Sequence, residues 1–328
     1  MDFKALFQSF KQVKVAVIGD VMLDTYWWGK VDRISPEAPV PIVGVDYTEY
    51  RLGGAANVAL NLCSLEAQVY MMTVIGKDED GLLLEKLMLE KGIQTDGVHK
   101  CAERPTTNKI RIISRNQQMM RLDKEVITDL TESTQAEFLA LIKEQLDNIQ
   151  PQLVIFEDYN KGVLTEDIIS EMLSYCKQKS IVTAVDPKRN NFFAYKGVDI
   201  FKPNLKEAYE ALHIVDTKIT EHNLKAIHAM LHEKLQHHIS YITLSEHGVF
   251  YQEEQEAEIV PAHIRNVADV SGAGDTVIAV ASLVYAVTKN KSLMAEIGNL
   301  AGGIVCEEVG TVAINKAKLL AECESIIK

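Results

Sequence analysis

The chain has 328 residues, 47% of them hydrophobic and 24% charged, and a formal net charge of −12. A chain of this size buries a large core unaided, and its acidic surface repels phosphate backbones and anionic lipid, which argues against nucleic acid or a membrane as partner while leaving room for a local basic pocket. Five cysteines without a C-x-x-C pair point to neither a disulfide framework nor a zinc knuckle, and with no leader-like start and no membrane-length apolar run a cytoplasmic protein is expected.

In chain order, Val13–Ile18 reads as a strand that runs into Gly19-Asp20-Val-Met-Leu-Asp24. Thr25–Tyr47 carries Trp27, Trp28, Val31 and Val43 among Pro36, Pro39 and Pro41, and fits no helix. Arg51-Leu-Gly53-Gly54-Ala-Ala-Asn57 opens a helix over Ala55–Leu65, followed by strand Val69–Ile75 and helix Gly81–Lys91. Thr106–Leu122 alternates Ile110 and Ile112 with Lys109, Arg111, Arg115 and Arg121, and is again extended. Strand Leu153–Phe156 leads into Asp158-Tyr-Asn-Lys161-Gly162, then helix Glu166–Lys179 and strands Ile181–Val185 and Val198–Phe201. Helices Lys206–Leu212 and Glu221–Leu235, strand Tyr241–Leu244, and helices Gly274–Val287, Leu293–Glu308 and Lys316–Ile327 complete the chain.

Such alternation predicts an α/β fold, with a mostly parallel central sheet flanked by helices and ligands beyond the carboxyl ends of its strands. The core is expected from residues 1–24, 48–104 and 124–328. Residues 25–47 and 105–123 are expected to form a small β-sheet lid, the alternative being extra edge strands of the main sheet.

Asp269-Val-Ser-Gly272-Ala273-Gly274-Asp275 precedes an apolar helix. Free amides at a helix start form an anion site. An aspartate there repels phosphate, but is explained if it takes a proton from an attacking hydroxyl while the amides hold the phosphoryl group. The alternative is a simple N-terminal charge favoured by the helix dipole. Asn204-Leu205-Lys206-Glu207 places Asn204 and Glu207 on one face of a helix start, suited to Mg²⁺ beside nucleotide phosphates or to a reciprocal cap, and both can hold. Thr243-Leu-Ser245-Glu-His-Gly248 suits a nucleotide contact or a hairpin turn.

Asp20, Asp24, Gly53, Gly54 and Asn57 offer groups that both donate to and accept from sugar hydroxyls. Lys109, Arg111, Arg115 and Arg121 share one face if their strand is regular, and Asp158 and Lys161 sit on the same sheet edge. These cations suit a sugar phosphate or a solvated face, and a turn near Asn116 would break their register. His228 and His232 have metal-ligand spacing, but Gln236 stands where a zinc-protease histidine would fall, and a solvent-facing helix is expected.

Gly53-Gly54-Ala-Ala-Asn57, Asn204-x-x-Glu207 and Asp269…Gly-Ala-Gly-Asp275 resemble, in order and spacing, the ribokinase-like (phosphofructokinase-B) family, with Val270 where threonine is usual. Gly19–Asp24, Arg33–Pro41, Ser114–Gln118 and Arg121-Leu-Asp123 are similar to the heptose 7-phosphate 1-kinase modules of that family. The resemblance implies an ATP- and Mg²⁺-dependent sugar kinase acting on the anomeric 1-hydroxyl, feeding ADP-heptose and lipopolysaccharide core synthesis, with another sugar kinase or a non-catalytic binder as alternatives. It implies Asp275 as base and Gly272, Ala273 and Gly274 as anion hole. Asn204, Leu205, Lys206, Glu207, Thr243, Ser245, Gly248 and Asn299 would bind ATP, with magnesium at Asn204 and Glu207 through water. Asp24, Gly53, Gly54, Asn57, Lys109, Arg111, Arg121, Asp158 and Lys161 would bind the sugar phosphate. It further implies a homodimer through the lid. Because the sequence stops at Lys328, a separate nucleotidyltransferase is expected downstream.

Overall fold

The computed structural model describes residues 1–115, 117–215 and 218–327. Its first elements are α1 (Phe3–Ser9), β1 (Lys14–Gly19), β2 (Val21–Ile34), β3 (Pro41–Gly54), α2 (Ala55–Ser64), β4 (Gln68–Gly76), α3 (Glu79–Glu90), β5 (Gln94–Cys101), β6 (Asn108–Ser114) and β7 (Gln117–Lys124). There follow α4 (Glu132–Ile149), β8 (Leu153–Glu157), α5 (Glu166–Lys179), β9 (Val182–Asp186), β10 (Ile200–Phe201), α6 (Leu205–Leu212) and α7 (Glu221–Leu235). The last are β11 (Ile239–Thr243), β12 (Val249–Glu253), β13 (Glu256–Val260), α8 (Ala273–Thr288), α9 (Lys291–Val305) and α10 (Lys316–Ile326).

Val15, Ala16, Val17 and Ile18 of β1 are all fully buried, the signature of a strand covered on both faces. β1 is an interior strand, seventh in a nine-stranded sheet ordered β13-β12-β11-β10-β9-β8-β1-β4-β5. Its pairings are parallel from β5 across to β11, and β12 and β13 add an antiparallel edge. One apolar core, built on α2, α8 and α9, includes Val15, Val17, Leu62 and Ile278. The other includes Ala16 and Ile18 with residues of α4, α5 and α7 such as Phe138, Ile168 and Leu231. Alternate β1 side chains thus feed opposite cores, and the expected three-layer α/β architecture is present.

β3-β2-β6-β7 form a separate four-stranded sheet. The long antiparallel pair β2/β3 runs from Val21↔Gly54 to Ile34↔Pro41 with two shifts of register on the way, and β6 joins β2 in parallel. The proline-interrupted and alternating segments are therefore strands of their own sheet, not extra edges of the main one.

Several elements depart from expectation, and α1 and β13 are among those that went unread. α4 went unread, although Thr131 caps it and Phe138, Ile142, Leu146 and Ile149 form a buried stripe. β5 was missed because, as an edge strand, it carries few apolar residues. On α7, His232 is exposed as expected, but His228 is 5% exposed and does not face solvent. His228 Nδ1 and His237 Nε2 lie 2.9 and 2.6 Å from Ser240 Oγ, so polar contacts inside the helix–sheet packing accommodate these two, while the exposed His232 stacks on His228.

Candidate active site

The site lies along the carboxyl ends of β1, β8, β9 and β11. Gly272, with φ of 77°, caps α8, and Asp275 is in the first turn, 4% exposed. A Cβ on Gly272 would lie 2.8 Å from Asn57 Nδ2, so glycine is required by shape as well as by φ. The amides of Gly272, Gly274 and Asp275 have no partner among the described residues. Ala273, expected in the same anion hole, instead donates to the Val270 carbonyl at 3.2 Å, because the turn that launches the helix uses that amide.

Asn57 Nδ2 donates to Asp275 Oδ2 at 2.8 Å, and the Tyr159 hydroxyl donates to Oδ1 at 2.8 Å. Burial pushes the Asp275 carboxyl up to about 6 against the pull of these two donors. A partly desolvated carboxylate with a value in this range suits proton abstraction.

Oxygen atoms of Asp275, Glu157 and Asp186 lie within 4.8 Å of one another. Neither Glu157 oxygen has a hydrogen-bond partner among the described residues, and burial together with Asp186 and Asp275 raises its value well above the ordinary one. Lys202 and Lys188 reach Asp186 at 2.8 and 2.9 Å. Although burial opposes it, these lysines hold Asp186 below its ordinary value. Lys188 also reaches Glu207 at 3.1 Å.

Beside these residues opens a cleft of about 820 Å³. Its lining includes Asn204, Glu207, Thr243, Ser245, Gly248 and Asn299, the expected nucleotide contacts, together with Gly272 to Asp275. Leu205 and Lys206 do not line it, and Lys206 instead pairs with Glu210 on the exposed side of α6. Asn204 and Glu207 form the reciprocal cap: Glu207 N–H donates to Asn204 Oδ1 at 2.9 Å and Asn204 N–H to Glu207 Oε2 at 2.8 Å. Asn299 donates to the Pro261 carbonyl and ties down the loop at the cleft mouth.

At the end expected to hold the sugar, Gly54 has φ of 58°, and a Cβ on Gly53 would lie 2.4 Å from Asp24 Oδ2. Lys109 and Arg111 lie on one face of β6, and Arg121 is directly opposite Arg111 on β7. Arg115 leaves that face, because it turns with φ of 48° at the strand end. Asn116 lies outside the described residues. Arg111 pairs with the buried Asp24 at 2.6 Å, and Arg121 forks onto Asp123. Asp20, read as a sugar contact, accepts instead from the amides of Tyr159, Lys161 and Val163. Asp158 accepts from Asn160, Asn191 and Tyr195, and Lys161 pairs with Glu125 at 2.7 Å.

Sequence reasoning passed over Tyr159, Asp186 and Lys188. A signal existed for the last two, since Asp186-Pro-Lys188 ends β9 on the ligand-binding edge.

Residues 12–318 match the model of the pfkB family carbohydrate kinases. The chain is 39% identical over 316 residues to the bifunctional protein HldE of Syntrophotalea carbinolica, covering 94% of this chain and 62% of that protein. It is 41% identical over 299 residues to the HldE of Nitratiruptor sp., covering 90% and 62%. The chain thus spans less than two thirds of the length of these relatives. Among solved structures, Escherichia coli phosphofructokinase-2 in complex with fructose-6-phosphate superposes with a TM-score of 0.76 at 16% identity, covering 95% of this chain and 99% of that one. Arabidopsis thaliana ribokinase complexed with ribose and ATP gives 0.71 at 16% identity, covering 94% and 98%. At these identities the likeness is one of fold.

Proposed function

The chain belongs to the pfkB family of carbohydrate kinases and is an ATP-dependent sugar kinase; we propose that it phosphorylates the anomeric 1-hydroxyl of D-glycero-D-manno-heptose 7-phosphate. The observation that carries the chemistry is the buried Asp275 carboxylate, held by two donors at the start of α8 beside partner-free amides. In this reading Asp275 takes the proton from the acceptor hydroxyl. The freed oxygen attacks the γ-phosphorus of ATP in line, and the bond to the β-phosphate oxygen breaks to leave ADP. The amides of Gly272, Gly274 and Asp275 hold the charge that develops on the phosphoryl oxygens.

Lys188, on the cleft wall, would neutralise phosphate charge. Asn204 and Glu207 supply the hard oxygen donors that magnesium takes, and Glu207 Oε1 meets only Lys188 among the described residues. They would hold a magnesium ion that offsets the charge of the ATP phosphates.

The acceptor is inferred from the segments that are similar to heptose 7-phosphate kinase modules and from the basic face of the second sheet. Lys109, Arg111 and Arg121 stand together there in a chain of net charge −12, and a dianion at the far end of the sugar gives them a common partner. Asp24, Gly53, Gly54 and Asn57 would bind the hydroxyls. The second sheet would act as the lid. The exposed Ile34, Val40, Val45, Tyr47 and Met120 on it support pairing of two copies. Among the described residues no helix is long and apolar enough to cross a membrane.

An ATP-consumption screen over sugar phosphates and their unphosphorylated counterparts tests the acceptor. Heptose 7-phosphate should be used far better than heptose. Equal kcat/KM for the two would return the basic residues to a solvated face and move the substrate to a neutral sugar.

A further inference from the structure

We propose that Tyr159 is the positioning residue of the base: its hydroxyl fixes one carboxylate oxygen of Asp275 while Asn57 fixes the other, so that a free lone pair of that carboxylate points at the acceptor hydroxyl. The proposal rests on Asp275 being the base, and not on which sugar is bound.

A carboxylate rotates easily about its last bond, since that torsion has a broad energy well. One donor leaves its plane loosely set, whereas two donors on different oxygens define it. Asp275 has those two, each at 2.8 Å, and each oxygen keeps a second lone pair for substrate.

Tyr159 is itself firmly placed. Its amide donates to Asp20 Oδ2 at 2.8 Å, and the amides of Lys161 and Val163 donate to the same buried carboxyl. Its ring packs at Gly54, where a Cβ would be 3.5 Å from Tyr159 Cδ2. The ammonium groups of Lys109 and Lys188 lie 5.9 and 5.4 Å from the ring centroid. One side chain therefore touches the second sheet, the cleft wall and the base. Burial and the charge of Asp275 keep the phenol well above its ordinary value, so it remains a donor. The other charged groups near Asp275 are Asp186, Glu157, Lys188 and Lys202, and both lysines pair with Asp186 and not with Asp275.

The test is Tyr159→Phe, which keeps the ring and removes the hydroxyl. With heptose 7-phosphate as acceptor, kcat should fall about 10- to 100-fold, the loss expected for one bond to a charged group. KM for ATP should stay within about two-fold. The acid limb of the kcat/KM profile should move to higher pH by about one unit, because a bond to the charged form is lost. A kcat above half of wild type, or a loss that is even across pH with the limb unmoved, overturns the proposal. Carbon-13 titration of the Asp275 carboxyl, assigned by its absence in Asp275→Asn, reads the same effect without turnover. Its midpoint should rise in Tyr159→Phe, and an unchanged midpoint overturns the proposal as well. If Asp275→Asn stays active, the base assignment itself fails and this inference falls with it.

Discussion

Replacing Asp275 by asparagine should destroy activity and stabilise the protein at the same time. The wild-type carboxyl is held at about 6 against an ordinary 3.8, chiefly by burial. That gap corresponds to about 3 kcal/mol of folding free energy at neutral pH. The sign follows from proton uptake. Between pH 3.8 and about 6 the folded state binds more protons at this group than the unfolded state does. Stability from this group is therefore full at low pH, declines as pH rises through that window, and is lowest above it. Asparagine removes the charge and with it the penalty. Its carboxamide oxygen accepts from only one of the two donors, Asn57 and Tyr159, and the mismatched contact costs roughly 1 kcal/mol. The net gain is about 2 kcal/mol, a rise of about 3 °C in Tm for a chain of this length. Scanning calorimetry of both proteins from pH 4 to pH 7.5 should show the difference growing with pH and changing sign between about pH 4 and pH 5, where the charge penalty equals the cost of the mismatched contact. A kinase assay on the same samples should show kcat reduced by roughly 10²–10⁴. If the variant kept more than about half of kcat, Asp275 would not be the base, given that cost. If it melted lower than wild type at pH 7.5, the carboxylate would be supporting the fold, and the lost activity would say nothing about proton transfer.

Single alanine changes at Lys109, Arg111 and Arg121 should each raise KM for the phosphorylated sugar by roughly 10- to 150-fold and leave KM for ATP unaltered; steady-state kinetics with each substrate varied in turn reads both. Arg111→Ala should be the worst of the three, because it also leaves the buried Asp24 without its partner. Glu207→Gln should raise the magnesium concentration needed for half-maximal rate. Unchanged magnesium dependence combined with a loss of roughly 1 kcal/mol in stability would mean that Glu207 serves only the helix cap.

What the sequence made legible was whatever repeats locally. The apolar run of β1 and the helical stripe of α5 reveal their burial within a few residues, and the glycines before Asp275 announce a helix start that approaches something closely. Of the three amides expected to form an anion hole, that of Ala273 is taken by the turn at Val270, a bond no sequence pattern announces. Tyr159 and Asp20 were not legible as a pair. Their bond joins positions 139 residues apart, and nothing in either neighbourhood betrays it. The basic residues of the second sheet were read by alternation, which holds on β6 and ends where Arg115 adopts a left-handed backbone. His228 of α7 misleads for a similar reason: its partner Ser240, shared with His237, arrives from the following strand.

The paired strands β2 and β3 have fourteen residues each and are rooted at Val21 and Gly54, where a Cβ would be 3.5 Å from Tyr159, the partner of Asp275. Fourteen extended residues reach about 45 Å, and Asp24 is only about 10 Å from the root. The hairpin is therefore a lever with arms of unequal length. A swing of about ten degrees at its foot would carry the tip by about 8 Å and Asp24 by about 2 Å, on those strand lengths. Two irregularities in the pairing, at Trp28/Gly29 and Val31/Arg33, give the arm places to flex before force reaches its foot. β6 backs the arm only from Leu23 to Gly29, so a load applied beyond Gly29 would meet two strands alone and bend them first, and one applied nearer the foot would meet a stiffer sheet and be passed on toward Asp275.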